Sequence, residues 1–102
     1  MIVKEISDTS RYGSLSLSAE DRITKFQEKV CNYEREGKFI NAGVYLMDHR
    51  IFQKIPKKLP VSLEKEVFPN LLSDGVFGYR IDGHFIDIGT PESLVEARAY
   101  FR

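Results

Sequence analysis

The chain has 102 residues, with fifteen Lys and Arg balanced by fifteen Asp and Glu, and its formal net charge is zero. A hydrophobic fraction of 42% and a charged fraction of 29% are typical of one globular domain with a modest core. The scattered basic residues give no sign of nucleic-acid binding, and no apolar run approaches the roughly eighteen residues that span a bilayer. The N-terminus lacks a secretory pattern, and the single cysteine, Cys31, has no partner for a disulfide, so we expect a cytoplasmic protein and assign Cys31 no role.

The first third of the chain favours strands. Residues 2–6 predict a short one, and residues 14–18 alternate polar and apolar, with Leu15 and Leu17 facing inward. Residues 23–28 alternate again, so the two runs predict an antiparallel hairpin. Ile23 and Phe26 are an odd number of residues apart, so either one of them faces outward or a bulge intervenes.

The middle of the chain holds its most apolar run. Residues 29–38 are polar and predict a loop or an irregular helical turn, whereas residues 39–47 have the length and composition of a central strand. Asn41, Ala42 and Gly43 interrupt this run. Such small residues are typical of a place where a ligand or another backbone comes close.

Two short helices are predicted next. Residues 48–55 can form a helix capped by Asp48, with Ile51, Phe52 and Ile55 on its buried side. A second helix begins after Ser62, whose hydroxyl can cap it, and Pro69 should break or kink it.

The C-terminal part predicts a hairpin and a helix. Residues 76–82 favour a strand, and Gly83 makes a tight connection into a second strand over residues 84–88. Thr90 can cap a final helix, and Pro91 fits its first position. Within that helix, one apolar stripe should pack on the sheet; it consists of Leu94, Ala97 and Phe101, with Val95 and Arg98 beside it.

Asp87 has two interpretations. It lies near the predicted end of the strand over residues 84–88, and ligands of open α/β sheets bind at the carboxyl ends of strands, so it is a candidate metal or substrate contact. Equally, an aspartate just before a Gly-Thr-Pro turn can simply accept hydrogen bonds from nearby backbone N–H groups.

Five ordered elements resemble those of the sugar-1-phosphate nucleotidyltransferases, and the mannose- or heptose-1-phosphate guanylyltransferase branch in particular. They are R-Y-G at 11–13, F-x-E-K at 26–29, N-A-G at 41–43, S-x-E at 62–64 and D-x-G-T-P at 87–91. An ordered set is much more specific than any one motif. The resemblance covers the chain from about residue 8 onward.

The resemblance implies a fold and an activity. The fold is α/β: a partial Rossmann-like nucleotidyltransferase fold with a mixed sheet and flanking helices, without the N-terminal nucleotide-binding strands. Residues 1–102 would then be a single partial domain, the C-terminal half of a nucleotidyltransferase. The activity is transfer of a nucleotidyl group from an NTP to a sugar 1-phosphate, which gives an NDP-sugar and pyrophosphate, as part of a larger enzyme.

The resemblance also assigns residues to this chemistry. Asp87 is similar to one of two aspartates that hold Mg²⁺, Glu28 to an acceptor of hydrogen bonds from sugar hydroxyls, and Lys29 to a phosphate contact. The backbone at Gly13 and at 41–43 would let the sugar approach closely. The full set of implied substrate-binding residues is Tyr12, Gly13, Glu28, Lys29, Asn41, Ala42 and Gly43.

The sequence departs from the family pattern in one large respect. It contains no G-G-x-G-T-R-L loop to grip a triphosphate, nor the lysine and first metal-binding aspartate that follow it in the family. We therefore expect the isolated chain to be inactive in nucleotidyl transfer. The alternative is a non-catalytic fragment that binds a sugar phosphate or a partner protein and can self-associate through an exposed sheet edge. The nucleotide base and the sugar are left open by these residues.

Overall fold

The computed structural model of the protein describes residues 1–7, 12–27 and 38–102. Its strands are β1 (Ile2–Glu5), β2 (Ser14–Leu17), β3 (Ile23–Gln27), β4 (Phe39–Asn41) and β5 (Tyr79–Ile81). They form one sheet in the order β3-β2-β4-β1-β5. The first three neighbouring pairs are antiparallel, and β1 pairs with β5 in parallel. The predicted α/β class with a mixed sheet is confirmed.

The β2–β3 hairpin contains the bulge that the spacing of Ile23 and Phe26 allows. Leu17 lies opposite Ile23, whereas Ser16 lies opposite Lys25, so Thr24 is the extra residue on β3. The bulge turns Ile23 back toward the core, where it is almost completely buried. The hairpin and its irregularity are therefore as predicted.

The predicted strand over residues 39–47 is central but shorter than expected. Phe39 and Ile40 pair with strands on both sides, and Asn41 pairs with β1 alone. Beyond them, backbone bonds to Ile2 continue on one side, with Ala42 N donating to Ile2 O at 3.0 Å and Ile2 N donating to Val44 O at 2.9 Å. Gly43 has a φ of +80°, which takes the backbone out of the β region and ends the ladder.

The core centres on Val3, Leu15 and Ile23, one residue from each of three strands. The helical segments that follow β4 cover one end of this core. There Phe68, only 4% exposed, stacks on Phe26 with ring centroids 6.4 Å apart. This aromatic pair joins the hairpin to the segment that follows residue 62.

A 3₁₀ helix spans His49–Gln53, and its cap is the predicted one: Asp48 Oδ1 accepts a hydrogen bond from Arg50 N at 2.9 Å. The predicted buried side is wrong at Phe52, which is 76% exposed, while Ile51 and Ile55 are half-buried. Three residues per turn place neighbouring side chains about 120° apart, so Ile51 and Phe52 point in different directions and Phe52 lies on the solvent side.

The next helix starts where predicted and changes type along its length. Ser62 Oγ accepts from Lys65 N at 3.2 Å, and Glu66 Oε2 accepts from Ser62 N at 2.9 Å. A π-helical turn, Leu63–Val67, leads directly into helix α1, Phe68–Leu71. Pro69 lies in the first turn of α1, where no α-helical N–H bond is lost, so it marks the change of helix type and does not break the helix.

The hairpin predicted across Gly83 is wrong. Residues 84–88 form no strand, and β5 instead pairs in parallel with β1. After residue 83 the chain is held by aromatic contacts: His84 stacks on Tyr100 at 3.9 Å between ring centroids, and Phe85 meets Tyr12 edge-on at 6.5 Å. Contacts between side chains distant in sequence thus replace the expected ladder.

Helix α2, Pro91–Tyr100, begins as predicted. Thr90 Oγ1 accepts from Ser93 N, Ser93 Oγ accepts from Thr90 N, both at 3.2 Å, and Pro91 occupies the first helical position. Within the predicted apolar stripe, Ala97 is buried, whereas the prediction is wrong at Phe101, which is 69% exposed. Phe101 lies beyond the last helical residue, so it does not continue the face that Ala97 buries.

An apolar surface lies open on the β5 side of the sheet. Its members are Leu46, Met47, Phe77 and Tyr79, which line a cavity of about 830 Å³ and which we call the open surface. Leu46 is 98% exposed and Tyr79 72% exposed. Across the described parts of the chain, no helix has both the length and the apolar character needed to cross a membrane.

Candidate functional site

A cleft of about 660 Å³ lies between the β2–β3 hairpin, β4 and the π-helical turn. It brings together residues from five separate segments of the sequence. Those that matter for its chemistry are Tyr12, Gly13, Asn41, Glu64, Lys65 and Asp87. Four of these, Tyr12, Gly13, Asn41 and Asp87, are among the residues that the sequence singles out.

Tyr12 and Gly13 lead into β2 at one edge of the cleft. The edge-on contact of Tyr12 with Phe85 ties this edge to the segment that carries Asp87. A Cβ atom on Gly13 would lie 3.3 Å from the backbone oxygen of Gln27. A larger residue would therefore press on β3 where the hairpin approaches the cleft.

Asn41 is the member of the N-A-G element that lines the cleft. Its Oδ1 accepts from Gly43 N at 2.8 Å, and its Nδ2 donates to Tyr45 Oη at 2.6 Å. Ala42 and Gly43 do not line it; Ala42 bonds to Ile2, and Gly43 supplies the turn that returns its N–H to Asn41. The small residues thus shape the backbone around one polar side chain.

Asp87 makes the local turn contact that its sequence allows, and its role as a metal or substrate contact stays a prediction. Its Oδ1 accepts from Gly89 N at 2.9 Å, the local turn contact. The same carboxylate lines the cleft and is exposed there. No described residue donates a hydrogen bond to Oδ2, so that oxygen is available to a ligand.

Glu28 and Lys29 lie outside the described residues, as do Arg11 and Cys31, and the binding roles of Glu28 and Lys29 stay predictions. The residue before them, Gln27, ends β3 and lines the cleft. Its Oε1 accepts from Ser14 Oγ at 3.4 Å.

Glu64 and Lys65 line the cleft, and Tyr45 contacts its lining residue Asn41, although the sequence does not single out these three as binding residues. Glu64 and Lys65 follow the capping Ser62 and line the cleft. Burial raises the pKa of the Tyr45 hydroxyl above its usual value, the hydrogen bond from Asn41 opposes this rise, and the negative charge of Glu64 adds to it. The S-x-E spacing was the available signal for Glu64, but its position at a helix start explains a glutamate equally well.

A metal centre made of protein side chains alone is not found among residues 1–7, 12–27 and 38–102: they contain no group of three or more His, Cys, Asp or Glu suited to hold an ion. Asp87 is the cleft's aspartate, and Glu64 is a second carboxylate in its lining. Mg²⁺ is commonly bound by one or two carboxylates together with water and substrate phosphates, and a single aspartate fits that pattern.

The mixed sheet with the cleft beside it places the chain among α/β domains. The family model for "Nucleotidyl transferase" matches residues 1–102, and the chain belongs to that family. It is 36% identical over 97 residues to a mannose-1-phosphate guanylyltransferase of Mycobacterium tuberculosis. A probable mannose-1-phosphate guanylyltransferase 1 of Oryza sativa subsp. japonica is 35% identical over 97 residues.

The fold is similar to that of HddC from Yersinia pseudotuberculosis, with a TM-score of 0.76 and 28% identity. The same protein complexed with GMP-PN matches with a TM-score of 0.74 and 30% identity. Each comparison covers 100% of this chain but 43% of the solved one. The match covers 92% or 93% of this chain and 26% of each of the two guanylyltransferases, so the chain spans about a quarter of the length of these relatives.

Proposed function

We propose that the chain is the sugar-phosphate-binding part of an enzyme that transfers a nucleotidyl group from an NTP to a sugar 1-phosphate. A phosphate oxygen of the sugar 1-phosphate would attack the α-phosphorus of the NTP, the bond from that phosphorus to the bridging oxygen would break, and pyrophosphate would leave. The observation that carries the proposal is the convergence of Tyr12, Gly13, Asn41 and Asp87 on one cleft.

The cleft's side chains suit the sugar and its phosphate. Asn41 offers an amide and Glu64 a carboxylate, which together can donate to and accept from hydroxyl groups. Lys65 supplies a cation in the same lining. Two relatives named as mannose-1-phosphate guanylyltransferases support mannose 1-phosphate as the first ligand to test.

Magnesium is part of the proposal through Asp87. When bound, the ion would neutralise the crowded phosphates and polarise the phosphorus that is attacked. Asp87 would contribute one carboxylate oxygen while its other oxygen keeps the turn contact with Gly89. The chain itself supplies the sugar contacts and this one ligand, and we expect the isolated chain to release no pyrophosphate.

Titration of the purified chain with mannose 1-phosphate, followed by backbone amide NMR, tests binding. Residues around the cleft should shift, and Asn41→Ala should weaken binding about tenfold because it removes a hydrogen-bonding amide. Asn70→Ala is the matched control, since Asn70 is exposed and does not line the cleft. Absence of cleft shifts at millimolar ligand, or equal effects of the two variants, would contradict the proposal.

The same titration tests magnesium. Added Mg²⁺ should tighten mannose 1-phosphate binding in the wild type and should not change the affinity of Asp87→Asn. Asp82→Asn is the control and should respond as the wild type does, because Asp82 is an exposed aspartate outside the cleft. A parallel assay with GTP and Mg²⁺ follows pyrophosphate. Its release by the isolated chain would overturn the expectation of inactivity.

A second candidate function is protein binding through the open surface. The specific observation is Leu46, 98% exposed beside the edge strand β5. Because the solved relative has more than half of its chain outside the matched region, we assign this surface to the remaining, nucleotide-binding part of the nucleotidyltransferase fold. When that part does not cover the surface, we expect the chain to self-associate through it.

A further inference from the structure

Tyr45 is held in place by packing on its ring. It follows β4 by four residues and is half-buried. Its ring meets Phe68 edge-on, with centroids 5.0 Å apart and planes at 61°. Phe68 is buried and also stacks on Phe26, so these packed rings fix the position of the Tyr45 ring.

The hydroxyl of Tyr45 fixes the amide of Asn41. Gly43 N is a donor and can meet only the amide oxygen, at 2.8 Å, which leaves the amide nitrogen facing Tyr45 Oη at 2.6 Å. The two contacts together determine which end of the Asn41 amide is the oxygen and which is the nitrogen. One amide hydrogen is used, and the second stays available.

The effects on the pKa of the Tyr45 hydroxyl agree with this contact. Burial raises the pKa above its usual value, and the hydrogen bond from Asn41 lowers it because a donor stabilises the phenolate oxygen.

We infer that Tyr45 is a positioning residue whose hydroxyl fixes the orientation of the Asn41 amide in the cleft. The contact of Asn41 Nδ2 with Tyr45 Oη leaves the second amide hydrogen as an oriented donor. Such a donor fits a hydroxyl group of a sugar, whose oxygen can accept from it. This inference rests on the proposed function, because it names how that site would read its ligand.

Tyr45→Phe tests it, because phenylalanine keeps the ring on Phe68 and removes only the hydroxyl. The side-chain NH₂ resonances of Asn41 should move and their exchange with water should speed up, and affinity for mannose 1-phosphate should fall about tenfold. Tyr79→Phe is the matched control: Tyr79 is exposed on β5 and lies outside the cleft. It should change neither the Asn41 resonances nor the affinity.

A double-mutant cycle separates positioning from simple packing. If Tyr45 acts through Asn41, Tyr45→Phe should lower the affinity in the wild type and have little further effect in an Asn41→Ala background. Full additivity of the two substitutions, or unchanged Asn41 side-chain resonances in Tyr45→Phe, overturns the inference. If the wild-type chain binds no sugar phosphate, the proposed function fails, and the Asn41 resonances still decide whether Tyr45 positions that amide.

Discussion

The cleft and the open surface are two concave regions that differ in the side chains they present. In the cleft, polar side chains are held by short hydrogen bonds, such as that of Asn41 to Tyr45 at 2.6 Å, above a packed aromatic floor. The open surface instead presents whole apolar side chains, and Leu46 is 98% exposed. The difference supports both proposals: a small polar ligand for the cleft, and another protein segment over the open surface.

The largest effect is expected at the aromatic floor of the cleft, which consists of the rings of Phe26, Tyr45 and Phe68. Phe68→Ala should lower the free energy of unfolding by about 3–5 kcal/mol, because it removes a buried ring that contacts both Phe26 and Tyr45. Phe52→Ala is the control, since Phe52 is exposed, and its effect should stay within about 0.5 kcal/mol. Urea denaturation monitored by circular dichroism measures both. Similar losses in the two variants would mean that the cleft is no better packed than the exposed 3₁₀ helix.

A smaller effect is expected at the open surface. Leu46→Lys should weaken self-association of the purified chain about ten- to a hundredfold, because covering a leucine is worth about 1.5–3 kcal/mol. Sedimentation equilibrium over a range of concentrations gives the constant. Val95→Lys, which changes an exposed residue of α2 outside this cavity, should leave association near the wild-type value. If both variants associate as the wild type does, the open surface is not the contact.

The smallest effect concerns the charged rim of the open surface, where Asp48 pairs with Arg50 at 2.9 Å. The Arg50 side chain, followed by its backbone N–H, lowers the Asp48 pKa from 3.8 to about 2. Because the folded-state pKa is the lower one, the pair stabilises the fold above pH 3.8, and this contribution disappears as the pH falls through about 2.

Asp48→Asn isolates that contribution, because asparagine keeps the cap on Arg50 N and removes the charge. The wild type should be slightly more stable than the variant at neutral pH, and the difference should vanish near pH 2. Asp82→Asn, at an aspartate with no arginine partner in the described chain, provides the comparison. A stability difference that persists unchanged into acid would refute the assignment to Asp48.

Local signals predicted the features that neighbouring residues decide. The caps at Asp48, Ser62 and Thr90 all form as expected, since each needs only a side chain and an N–H two or three residues away. The bulge of the hairpin follows from the spacing of Ile23 and Phe26. The order of family elements also led to Asn41 and Asp87, which do line the cleft.

Features that depend on distant contacts were predicted less well. Residues 84–88 alternate like a strand, yet the parallel pairing of β5 with β1 and the stacking of His84 on Tyr100 take the chain elsewhere. Phe52 was assigned to the buried side of a helix, and it is exposed in the 3₁₀ helix that forms. Tyr45 gave no sign of a role, because its partners Asn41 and Phe68 meet only in the folded chain.

The sequence by itself determined the α/β class, the hairpin, the helix starts and the family, because these follow from periodicity, capping chemistry and ordered motifs. Only the tertiary structure decided that β4 lies between β2 and β1, so that Asn41 comes beside Glu64 and Asp87 in one cleft. The physical reason is that these side chains are brought together by long-range strand pairing and aromatic packing. Neither the strand pairing nor the aromatic packing can be recognised from the residues that flank these side chains in the sequence.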